Sequence, residues 1–283
     1  MTVVQPVGPA FSEAEVIQPY FSPHEVGEIL EFPARQMDVL APEVGWEDFY
    51  KSFVWQQDQH CGIIGPTGGG KTNLAYNLLP KQPYRVIFGL KPKDKTLQSL
   101  VTKSVISRKY GTYKVFPEWK AEGSNVSPRR LLWPKAHLSD LGSLMSGRGA
   151  PSVVASIFAD AMAAIYRDPG WCVFADDLWF MCNVLGLDQL VKIYLMMARA
   201  LPVPLLVASQ RPAWIPLEVY DQSSHLFFSR DNDEQNLSRI SGIAYLSAEE
   251  IVRIVANLPM YQFLYLNVRS GYMCRVSAPD VWK

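Results

Sequence analysis

Residues Gly65 to Thr72 read Gly-Pro-Thr-Gly-Gly-Gly-Lys-Thr, and no other stretch of the chain restricts its fold as tightly. The octet has the spacing of a phosphate loop, G-x-x-x-x-G-K-[ST]. The apolar pair Ile63-Ile64 predicts a strand over Gln59 to Gly65, and Lys71 to Leu79 predicts a helix. Strand, glycine turn and helix N-terminus together aim backbone N–H groups and a helix dipole at one point, which makes an anion site. Gly68, Gly69 and Gly70 are expected at φ > 0, where successive N–H groups turn inward. Lys71 adds a charge that reaches β- and γ-phosphates, and Thr72 a hydroxyl able to ligate Mg²⁺. Gly65, Pro66, Thr67, Gly68, Gly69, Gly70, Lys71 and Thr72 are therefore the candidate residues around ATP and its Mg²⁺. The bland alternative is a glycine turn that binds nothing.

A chain of 283 residues with 48% hydrophobic content can bury one large core with an appendage. Its apolar runs fall short of the ~20 residues of a membrane span. Met1 to Phe11 has neither a basic residue nor a long apolar stretch, so no secretory signal is expected. Cys61, Cys172, Cys182 and Cys274 show no C-x-x-C pairing and suit buried, reduced thiols in a cytoplasmic setting. The four histidines have no zinc-like spacing.

The zero net charge hides a division. Residues 1–50 carry nine acids and one base, whereas residues 81–135 carry thirteen bases and three acids. Such a basic stretch could follow a phosphodiester backbone, or it could be a solvated, Lys-rich surface. Residues 1–55, rich in Pro and acids, read as an irregular arm partly ordered by docking its aromatics, and residues 56–283 as the main domain.

Within that domain, short apolar strands alternate with helical segments. The pattern predicts an α/β fold with a mostly parallel sheet covered on both faces. Tyr261 to Val268 and Tyr272 to Ser277 end it as a hairpin through Arg269-Ser270-Gly271. Trp171 to Ala175 is an apolar strand that runs into Asp176-Asp177. Nucleotide hydrolysis wants this pattern: Asp176 to hold Mg²⁺ and Asp177 to orient or deprotonate water. An Asp at a strand end also suits a helix N-cap. Val203 to Ala208 leads into Ser209-Gln210-Arg211-Pro212, where Gln210 could report on a γ-phosphate or be an ordinary strand-end residue. On the helix expected from Asp188 to Ala200, Arg199 could enter a neighbouring subunit's site. A solvated face is equally compatible, and Arg211 and Arg230 are rivals.

The order phosphate loop, strand-Asp-Asp, Arg-bearing helix, then Ala208-Ser209-Gln210-Arg211-Pro212 resembles the HerA/FtsK superfamily of DNA-pumping ATPases over about Trp55 to Gly242. Lys91-Pro92-Lys93 is similar to a Pro-Lys element of the FtsK branch, without its preceding acid. Ring ATPases of this kind mostly carry Glu where this chain has Asp177. The resemblance implies a RecA-like P-loop fold, a homo-oligomeric ring (hexamer or pentamer) with nucleotide between subunits, and double-stranded DNA in the pore. By size and lack of added domains the chain looks most like viral genome-packaging ATPases. That implies a capsid or portal vertex as partner, in host cytoplasm or virion. Expected pore elements are Gly142 to Pro151 with Arg148, and the pair Arg129-Arg130. A HerA-like cellular or plasmid translocase, a nucleotide-gated assembly protein and a small-molecule P-loop kinase remain alternatives. A GTPase is disfavoured because no N-K-x-D motif is present.

Overall fold

The computed structural model describes residues 40–120, 127–139, 150–197, 200–210, 215–241 and 248–281. Its strands are β1 His60–Ile64, β2 Arg85–Phe88, β3 Lys114–Phe116, β4 Arg129–Leu132 and β5 Cys172–Ala175. They continue with β6 Leu205–Ser209, β7 Ser223–Ser229, β8 Gln262–Asn267 and β9 Tyr272–Ser277. All join one nine-stranded sheet in the order β3-β4-β2-β5-β6-β1-β7-β8-β9. Every pairing from β3 through β7 is parallel; β8 and β9 add antiparallel. The expected α/β architecture and C-terminal hairpin are both present. β1, β5, β6 and β7 are buried along their whole length, as strands covered on both faces must be.

The helices are α1 Trp46–Ser52, α2 Lys71–Leu78, α3 Lys95–Val101, α4 Val105–Tyr110 and α5 Lys135–Leu138. After them come α6 Ala150–Arg167, α7 Asp188–Met197, α8 Glu218–Gln222, α9 Glu234–Ser241 and α10 Ala248–Asn257. The longest, α6, buries Val154, Phe158, Ala161, Met162 and Ile165, the 3.6-residue stripe of a helix on a sheet. Phe158 stacks on Phe88 of β2 at 4.7 Å between centroids. Among the described residues no helix is long and apolar enough to cross a membrane.

The stretch expected to be irregular contains α1. Glu47 and Asp48 in its first turn and Lys51 in its last complement the helix dipole. Trp46, Phe49 and Phe53 recur at helical spacing, a signal that composition had masked. Phe49 and Phe53 are buried against Phe227 of β7 and Tyr265 of β8, with centroids 5.0–6.0 Å apart. Just before α1, Val44 N donates to Arg275 O at 2.9 Å, and Arg275 N to Pro42 O at 2.8 Å. Residues 41–55 thus pack as part of the sheet's β7–β9 end.

Under α1, buried His225 lies between Tyr265 Oη and Gln59 Oε1, each at 2.9 Å. Burial, aided by the Arg269 charge, pushes its pKa down to about 4. The unfolded chain would protonate this ring near 6.5, so the unfolded state binds more protons between about pH 4 and 6.5. Stability should therefore fall as pH drops through that window, by up to about 3 kcal/mol. Asp176 and Asp231, whose pKa values are raised by burial, act in the opposite sense. Thermal melts of wild type and His225→Gln at pH 7 and pH 5 isolate the histidine: wild type should lose more. Parallel curves would refute it.

The basic stretch has a structural use that the sequence did not reveal. Arg130, expected to face a pore, is buried in β4 with its guanidinium 4.5 Å from the Trp171 ring centre, 4.6 Å from Trp119 and 5.0 Å from Phe116. Cation–π attraction in a desolvated cage holds it there. Arg129 Nε donates to Thr112 O at 3.3 Å. Arg85 is also internal, bonded to Tyr113 Oη, Gln82 O and Tyr110 O. Arg130 is thus held inside the fold and not on a loop, while Arg129 opens the same sheet strand half-buried. Gly142 to Gly149, with Arg148, lie outside the described residues.

Candidate functional site

All parallel strands end on the same side, and the phosphate loop lies there, between β1 and α2. Gly65 leaves β1 at φ 149°, and its N–H donates to Ser209 O at 3.1 Å. Gly68 and Gly70 adopt φ 81° and 86°, Gly70 being the N-cap of α2. Gly69, expected at positive φ, is not among the positive-φ glycines. Its lack of a side chain has a different cause: a Cβ there would come within 2.7 Å of Ser229 Oγ and 3.2 Å of Pro66 O. β7 crowds the loop, so a side chain there would have to displace the Ser229 hydroxyl and press on Pro66 O.

Lys71 Nζ donates to Pro66 O at 2.7 Å, which keeps the ammonium across the mouth of its own loop. Burial lowers its pKa to about 8, against the opposing pull of Asp176, Asp177 and Asp231. Thr72 Oγ1 donates to Asp176 Oδ1 at 2.9 Å, joining residues 104 positions apart in the chain. A hydroxyl and a carboxylate at the C-terminal end of β5 form a hard-oxygen pair. Such a pair suits Mg²⁺, which usually takes one or two carboxylate oxygens plus substrate phosphates and water. Burial raises the pKa of Asp176, opposed first by the Thr72 hydrogen bond and then by Lys91.

Asp177 Oδ1 accepts the Phe180 N–H at 3.1 Å and so caps the turn that enters the π-helical segment Phe180–Val184. This is the capping use that the sequence left open beside the catalytic one, and among the described residues its second oxygen has no hydrogen-bond partner. Gln210, at the tip of β6, accepts from Thr67 Oγ1 at 2.8 Å, so a side chain beside the strand end touches the loop. Arg199 and Arg211 lie outside the described residues. Arg230 is exposed and borders a recess beside its own phosphate loop.

Sequence reading missed Asp231. It is 5% exposed, close enough to Lys71 to raise that lysine's pKa, and its oxygens accept from Asp233 N and Asn236 Nδ2, each at 2.9 Å. One acid inside the polar run Ser229 to Asn236 is an unremarked loop position until β7 is known to neighbour β1. A second cleft among the described residues, about 610 Å³ around Trp119, Arg130 and Trp171, lies at the opposite ends of the strands. Ligands of open parallel sheets bind at the carboxyl ends, and the acids and glycines are there.

Neither protein-family models nor curated protein sequences match the chain. Among solved structures it is similar to the genome packaging NTPase B204 from Sulfolobus turreted icosahedral virus 2 in complex with AMP. The TM-score is 0.51 at 15% identity, over 78% of this chain and 98% of that one. The fold is that of a P-loop ATPase. The DNA-packaging ATPase B204 from Sulfolobus turreted icosahedral virus gives 0.49 at 15% identity, over 78% and 98% of the two chains. The pCW3 conjugation coupling protein TcpA gives 0.41 at 12%, over 79% and 61%. In this P-loop ATPase fold the loop, the β5 carboxylates and the β6 glutamine occupy adjacent strand ends in the order β5-β6-β1.

Proposed function

We propose that this protein hydrolyses ATP and couples hydrolysis to movement along double-stranded DNA, as the motor that packages a viral genome. The observation that carries the hydrolytic part is the 2.9 Å contact between Thr72 Oγ1 and Asp176 Oδ1, with Gln210 on Thr67 beside it. The loop N–H groups receive the phosphates, and Lys71 exchanges Pro66 O for β- and γ-phosphate oxygens. Thr72 and Asp176 would hold Mg²⁺, which would supply electrostatic stabilisation of the phosphate charge. Asp177 uses the carboxylate oxygen not engaged by Phe180 to orient water. Gln210 changes partner when a γ-phosphate draws Thr67 away, which lets β6 sense the nucleotide. Arg199 of a neighbouring subunit completes charge stabilisation in a ring of five or six copies, and a capsid or portal vertex anchors that ring.

DNA coupling is tested by phosphate release with and without long duplex DNA. Stimulation by duplex is expected, and it should weaken as salt rises, since backbone binding releases counterions. Turnover indifferent to DNA at every salt concentration would refute coupling. The Asp177 cap favours one second reading, a nucleotide-gated assembly protein that binds ATP without turning it over. Tight ATP binding with no hydrolysis, with or without DNA, would establish that reading instead.

A further inference from the structure

A triphosphate on this loop has a direction. Asp176 and Gln210, at the ends of β5 and β6, mark the γ-phosphate side of β1. The nucleoside must then leave over the other side, across the ends of β7 and β8. A recess of about 310 Å³ lies there, bounded by Thr67, Gly69, Ser229, Asp231, Met260 and Tyr261. Because β8 is antiparallel to β7, the turn that precedes β8 comes to the carboxyl end of β7, beside the loop.

That turn is unusual. Gln262 N donates to Pro259 O at 3.2 Å, closing four residues with Tyr261 third at φ 65°. A third position with positive φ ordinarily takes Gly or Asn. Tyr261 is the one non-glycine with positive φ among the described residues, and holding a bulky ring there costs backbone energy. The ring is nevertheless 60% exposed, as is Met260, so burial in the core does not account for it. Its Cδ1 would lie 3.2 Å from a Cβ on Gly70, which sets the ring beside the N-terminus of α2. At the floor of the recess, Ser229 Oγ is buried without a hydrogen-bond partner among the described residues. Both Asp231 oxygens are already engaged by Asp233 and Asn236.

We propose that Tyr261 is the platform on which the nucleobase of the bound nucleotide stacks, with Met260 as the flanking apolar contact. The proposal rests on the phosphate-loop reading above. An exposed aromatic face at the nucleoside end of the loop supplies affinity for any base, because every base offers a π-face.

Isothermal titration of the full chain with ATP and, separately, with inorganic triphosphate tests it. Tyr261→Ala should weaken ATP about tenfold or more and leave inorganic triphosphate within about twofold. Alanine keeps the positive-φ cost, so the difference reports the ring. Tyr261→Phe should bind ATP like wild type, and Tyr261→Asn, whose backbone tolerates positive φ, should behave like the alanine variant. Equal weakening of both ligands in the Ala and Asn variants would make Tyr261 a support of the loop and overturn the platform. ATP binding unchanged in both would overturn it as well. Wild-type protein that binds neither ligand would overturn the phosphate-loop reading, and this inference with it.

Discussion

Replacing Lys71 with alanine should cut ATP turnover by about 10²–10³-fold, the usual cost of losing one positioned charge at a reacting oxyanion. The thermal midpoint should hold or rise slightly. In the folded chain Lys71 is 7% exposed and burial brings its pKa down to about 8, so the charge costs the fold energy that alanine does not. Its hydrogen bond to Pro66 O is local to the loop, and α2 keeps Leu74, Ala75 and Leu78 buried. Steady-state phosphate release beside a melting curve measures both arms, and normal turnover in this variant would sink the hydrolytic assignment. Asp177→Asn sharpens the same experiment, since asparagine still offers an oxygen to the Phe180 N–H but no base. Lost turnover with an unchanged melt is the expected result; full turnover would reduce Asp177 to the cap seen at 3.1 Å.

Phe49→Ala should destabilise the protein by about 3–5 kcal/mol, a large share of the roughly 5–15 kcal/mol of a typical domain. The ring is 2% exposed. It stacks on Phe53 at 5.3 Å and meets Tyr265 edge-on at 5.0 Å. Its loss would open a cavity between α1 and the sheet, and the strands below, tied to β1 on their far side, cannot collapse to fill it. Urea unfolding should show a lower midpoint with an unchanged slope. Val54→Ala, at a side chain 65% exposed, is the control and should change stability by less than about 0.5 kcal/mol. A Phe49 variant as stable as that control would mean α1 is an ornament on a domain that begins after it.

Much of the site was legible because its parts are local. The glycine loop, the strand before it and the helix after it lie within one short segment, and their conformations follow from residue type except at Gly69, whose φ is not positive. Asp176 and Gln210 were readable as strand-end residues, since an apolar run followed by a polar side chain is also local. The N-terminal aromatics were less legible because the acids and prolines around them dominated the composition, although their spacing was helical. Arg130 was misread for the opposite reason. A guanidinium looks solvated until Phe116, Trp119 and Trp171 are brought to it from β3, the segment after it and the residue before β5.

The amino-acid sequence by itself determined that this chain makes a glycine-rich turn between a strand and a helix, and that carboxylates end a second buried strand. Backbone sterics and hydrophobic burial decide such things over a few residues. Only the tertiary structure decided which strand ends become neighbours: β5 and β6 on one side of the loop, β7 and the Tyr261 turn on the other. That order arises from non-local pairing and core packing, where strands far apart in the chain compete for the same edge. No window of sequence carries the outcome. It is the order of strands that sets Asp176 and Gln210 on one side of the glycine loop and Tyr261 on the other.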